Sequence, residues 1–121
     1  VQTCALPISV GQNLHDKGRE PAVTLRDMSP QEQQLLLSQL QGWCVDTTAQ
    51  GSVLSKTYTL ADFHRTMAFV NAVAYIAHEQ DHHPDMAVSY NQCSIRWSTH
   101  SVNGLSINDF ICAARVDALS A

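Results

Sequence analysis

The chain has 121 residues, with seven Lys+Arg, eleven Asp+Glu, six His, four Cys and 45% hydrophobic residues. That length suits one domain around one hydrophobic core, and a formal net charge of −4 argues against a basic, nucleic-acid-binding face. No apolar run reaches the roughly 18 residues of a membrane span, and the Cys, with no C-x-x-C pair, form neither a disulfide framework nor a zinc-ribbon pattern.

Residues 1–9 (VQTCALPIS) show no helical or strand period and lack the apolar region of a secretory signal. Back-translated in frame, they resemble a common short-read sequencing adaptor, so they read as a translated artefact fused to a truncated gene. Residues 1–21 as a whole read as a disordered tail, and the folded domain is expected over 22–121. A cytoplasmic location fits this composition.

Ser29-Pro30-Gln31-Glu32 is a helix start, with Ser29 as cap, Pro30 at the first turn and Glu32 able to reach back. Leu35, Leu36, Leu37 and Leu40 fill this helix, and Gly42 supplies a stop. Strands are expected over 43–46 and 53–59, the second alternating Leu54, Lys56 and Tyr58 against Val53, Ser55, Thr57 and Thr59. A second helix starts at Asp62 and runs to about Ala77. Phe63, Met67, Val70, Ala74 and Ala77 form one apolar stripe, and Phe69, Val73 and Ile76 form its neighbour. So wide a face fits burial against a sheet and against another subunit.

Pro84 biases His83 away from helical angles. Strands over 87–90 and 93–99 then make a second hairpin around Asn91-Gln92. Ser106 caps a last helix, with Asp109 at its third position and Leu105 stapled onto Phe110. The order is helix, hairpin, helix, hairpin, helix. It predicts an α+β fold, a four-stranded antiparallel sheet covered on one face by three helices.

Four of the six His lie between His78 and His100. His82 and His83 stand where helix gives way to extended chain, and His100 ends the fourth strand. If both hairpins share a sheet, that strand end returns towards His82. Imidazoles titrate near pH 6.5, so clustered His can both donate and accept protons at neutral pH. His78-Glu79-Gln80-Asp81-His82 also spells H-E-x-x-H, the zinc-protease pattern. That motif needs both His on one rigid helical face, whereas here the helix is expected to end inside it. No metal is assigned.

His82-His83-Pro84, Tyr90, Ser98-Thr99-His100 and Asp109 together resemble, in identity and separation, the pterin-4a-carbinolamine dehydratases. The resemblance extends to Gly42-Trp43, to Gly104-Leu105-Ser106 and to Phe110, and covers most of 25–119. It implies dehydration of a 4a-hydroxytetrahydropterin to quinonoid dihydropterin without metal or cofactor. It also implies a homodimer or homotetramer serving an aromatic amino acid hydroxylase. His82 and His100 become the candidate acids, and His83 would position the pterin and share proton transfer. Asp81, Ser98, Thr99 and Asp109 become candidate contacts to the ring or the imidazoles. Two positions depart from the family pattern. His78 stands where an acidic residue is common, and Met86 where an aromatic is common; both are expected beside the substrate. Some animal relatives bind a homeodomain transcription factor, but nothing in this sequence points there. A non-enzymatic binding module on the same fold is the alternative.

Overall fold

Ser29 opens the first helix in both directions. In the computed structural model, which describes residues 26–119, its hydroxyl accepts the Glu32 N–H at 3.2 Å and Glu32 accepts the Ser29 N–H at 2.9 Å. The Arg26 guanidinium also donates to Glu32, at 2.8 Å. Together these donors hold the Glu32 carboxyl at about 2, well below its ordinary value. The expected tail and adaptor-derived segment lie outside the described residues.

This helix, α1 (Pro30–Leu37), buries Leu36 and Leu37 and stops earlier than expected. Turns carry Leu40 into the core, and Gly42, at φ +80°, swings the chain into β1 (Cys44–Thr48). β2 (Gly51–Thr59) pairs with β1 in a hairpin. α2 (Phe63–Gln80) starts at Asp62, whose carboxylate accepts the Arg65 N–H at 2.8 Å. β3 (Asp85–Val88), β4 (Gln92–Trp97) and α3 (Ile107–Ala118) follow. All strands are antiparallel, in the order β1-β2-β4-β3.

The predicted fold class is therefore the observed one, with shifted strand ends. β3 begins two residues before the expected 87. Immediately after Pro84, Met86 pairs with Ile95 and Val88 with Cys93, and Ser89 N–H donates to the Gln92 carbonyl at 2.9 Å across the turn. β4 stops at Trp97 rather than 99. Thr99 instead forms an isolated bridge to Gly104, and a 3-10 turn covers His100–Val102.

Leu54, Cys93, Ile95 and Trp97 on the inner sheet face meet Phe69, Val73, Ile76, Phe110 and Ala113 from the helices, all buried. The outer face is polar, with Ser55 bonded to Asp46 at 2.9 Å and Thr57 to Ser94 at 2.7 Å. Of the two α2 stripes, the one through Phe69, Val73 and Ile76 is buried, whereas Phe63 and Met67 are 50% and 36% exposed. At the end of α3, Asp117 accepts Trp43 Nε1 at 3.0 Å, Lys56 Nζ at 2.9 Å and the Tyr58 hydroxyl, tying that helix to the sheet. Cys93 and Cys112 are buried free thiols. Cys44 is half-buried and disulfide-bonded. No described helix is long and apolar enough to cross a membrane.

Candidate active site

The end of α2 creates the site. Asp81 adopts left-handed angles (φ 51°, ψ 45°), with its N–H on the Ala77 and His78 carbonyls, and His82 N–H reaches back to the Ala77 carbonyl at 3.0 Å. These two reach-back bonds are the Schellman arrangement that closes a helix. Asp and Asn tolerate left-handed angles better than most residues, because a short polar side chain bonds locally. The turn releases His82 and His83 from the helix, so His78 and His82 do not share one helical face. Among the described residues, no three His, Cys, Asp or Glu side chains are grouped as a metal site.

His82 then turns inward. Its Nε2 lies 2.6 Å from Oδ1 of Asp109, which is fully buried, while the His82 side chain keeps 13% exposure. Asp109 sits in the first turn of α3, and its other oxygen accepts the Thr99 hydroxyl at 2.7 Å and the Ser106 N–H at 2.9 Å. Thr99 and Ser106 hydroxyls meet at 2.7 Å. The buried carboxylate thus has three donors, as a buried acceptor group requires. A carboxylate only accepts, so Nε2 of His82 carries the proton in this bond. The neutral ring therefore keeps a lone pair on Nδ1, and Nδ1 is the atom left for chemistry.

The sequence-derived residues divide clearly. Hydrogen bonds join His82, Thr99 and Asp109. Their network lies one residue from His83 on one side and one residue from His100 on the other, and both of these imidazoles are exposed. Asp81 is exposed and shapes the helix end. His78 is exposed in the last turn of α2, Ser98 is half-buried, and Met86 is half-buried against the core. None of these four belongs to the hydrogen-bonded group around Asp109.

Trp97, not among the sequence-derived candidates, stacks on His82 with ring centroids 5.6 Å apart and planes 8° from parallel. Its signal was its place on the inner face of β4, two residues before Thr99. Ser106 is more than a helix cap, since its hydroxyl completes the Thr99–Asp109 group. Beneath the site, burial and the charge of Asp109 push the Cys112 thiol up to about 12.

A family model described as pterin 4 alpha carbinolamine dehydratase matches residues 26–119, the whole described region. The chain belongs to that family. Proteins provisionally named pterin-4-alpha-carbinolamine dehydratase are similar to it. One from Nitrosomonas eutropha is 51% identical over 90 residues, covering 74% of this chain and 76% of its own. Another, from Stenotrophomonas maltophilia, is 53% identical over 85 residues, covering 70% and 72%. Among solved structures, a transcriptional coactivator/pterin dehydratase from Brucella melitensis superposes with a TM-score of 0.72 at 25% identity, covering 79% of this chain and all of that one. A pterin dehydratase-like RuBisCO assembly factor of the alpha-carboxysome shares the fold, with a TM-score of 0.58 at 24% identity over 67% of this chain and 92% of that one.

Proposed function

We propose that this pterin-4a-carbinolamine dehydratase family member dehydrates a 4a-hydroxytetrahydropterin to the quinonoid dihydropterin by histidine acid–base catalysis. The observation that carries the reading is the buried Asp109 carboxylate gripping Nε2 of His82. Dehydration breaks the C4a–O bond and removes the N5 proton, leaving a C4a=N5 double bond and water. Hydroxide is a poor leaving group, so an acid must protonate the oxygen as the bond breaks. A positioned acid or base contributes roughly 10²–10⁴-fold.

His82 in its protonated form delivers the Nδ1 proton to the 4a oxygen, while Asp109 holds the opposite side of the ring. His100 is the second acid, so that each imidazole serves one stereoisomer at C4a. His83 positions the pterin and takes the N5 proton, which exchanges with water to reset the site. The link through Asp109 and Thr99 supports this grouping, since it ties the chain beside His100 to His82. Asp81, Ser98, His78 and Met86 complete the proposed pterin contacts, Met86 offering a polarisable thioether to a flat heterocycle. Purified, chelator-treated protein should speed quinonoid formation from the carbinolamine; a rate equal to the uncatalysed one contradicts the reading.

The proposal extends to a homodimer or homotetramer, supported by the exposed Phe63, Met67 and Tyr75 of α2, and to a cytoplasmic role beside an aromatic amino acid hydroxylase. That same exposed face is what a non-enzymatic binding module would use.

A further inference from the structure

We propose that Trp97 is a positioning residue for His82, its indole face setting the plane of the imidazole so that Nδ1 is presented to the substrate. The inference rests on the catalytic reading of His82. A single hydrogen bond at Nε2 fixes one direction of an imidazole and leaves the ring free to tilt about that bond. A second constraint is needed, and the near-parallel indole supplies it.

The platform is held by the core. Trp97 is fully buried, at the end of the inner face of β4, and is paired with the fully buried Leu54 of β2. The tryptophan is also locally unfavourable. Its Nε1 has no hydrogen-bond partner among the described residues, and an unmet buried donor costs free energy that Phe or Leu at the same place avoids. Such local disadvantages collect at functional positions. Packing alone asks for an apolar side chain here; the broad ring on His82 gives the tryptophan its use. Imidazole rings also stack favourably on an indole face when they carry charge, the state in which His82 donates its proton.

The test compares Trp97→Phe, Trp97→Leu and Trp97→Met in the full chain, reading kcat, KM, thermal unfolding and the nitrogen-15 resonances of the His82 ring. Wild type and Trp97→Phe should show His82 as one Nε2–H tautomer in its neutral form. Trp97→Leu and Trp97→Met should keep that tautomer, since Asp109 still accepts from Nε2, but should show broadened, motionally averaged His82 ring resonances and a kcat lower by about ten- to a hundredfold, the scale set by a misplaced catalytic group, with KM nearly unchanged. Trp97→Phe restores most of the rate because it restores a flat ring. A wild-type kcat together with His82 ring resonances as sharp as those of wild type in either aliphatic variant overturns the proposal. If Leu disrupts folding, the longer Met and the flat Phe still decide it. An inactive wild type would instead sink the dehydratase reading, while the ring resonances continue to report whether Trp97 orders the ring.

Discussion

Asp109 is a helix-start acid that also has an imidazole to hold. At the third position of α3 it satisfies the Ser106 N–H, as many such residues do, and its second oxygen remains for His82. An amide at this position keeps the shape but offers one acceptor and one donor. Asp109→Asn therefore either loses the Thr99 and Ser106 bonds or turns an N–H towards Nε2, which then can no longer donate. The expected result is a kcat lower by about 10²-fold or more, within the range of a lost acid–base group. Steady-state kinetics beside a thermal melt checks it. Asp81 carries a backbone role beside its proposed contact to the pterin, since it closes α2 with left-handed angles. The motif makes the residue conspicuous, and the turn adds a part that spacing alone does not show.

At the scale of elements, the start of α1 carries a pH signature. Glu32 titrates at about 2 in the folded chain, against an ordinary 4.5. A carboxyl with a depressed folded value stabilises above its unfolded value and loses that contribution as pH falls through the folded one. Glu32→Gln should therefore melt lower than wild type at pH 7. The gap should narrow below about pH 4.5 and close near pH 2, as a series of melts would show.

The 100–104 loop has a different support. A Cβ on Gly51, at φ +109°, would lie 1.9 Å from the Asn103 carbonyl oxygen, so the β1–β2 turn abuts the loop that carries His100. Gly51→Ala should destabilise by about 1–3 kcal/mol, the usual toll of a strained backbone position, and should lower kcat by displacing His100. Gly42→Ala is the control, since its φ is also positive but its Cβ meets only the flexible end of Lys56.

Across the whole molecule, the order of elements was legible because apolar periodicity and caps agree at each start: Ser29 with Glu32, Asp62, and Ser106 with Asp109. Strand ends were less legible. Asn91-Gln92 looked like the turn, but register is decided by which side chains reach the core, and Met86 packs against it opposite Ile95, while Val88, opposite Cys93, stays exposed. The histidines were visible as residues. The bond between His82 and Asp109 was not, because it joins positions 27 residues apart through the packing of α3 against the sheet. The stacking of Trp97 on His82 was hidden for the same reason.

The exposed stripe of α2 belongs to this scale as well. If Phe63 and Met67 pack against a second copy, Phe63→Asp/Met67→Asp should give a smaller particle by light scattering. The substitution introduces desolvated charge into an apolar contact. An unchanged mass would remove that face from the assembly.

The central claim is that paired imidazoles, one of them held by a buried carboxylate, perform the dehydration. Turnover of 4a-hydroxytetrahydropterin by wild type and by His82→Ala/His100→Ala tests it most directly. The expected result is a folded double variant whose rate falls to nearly that of the uncatalysed reaction; turnover equal to wild type would contradict the claim.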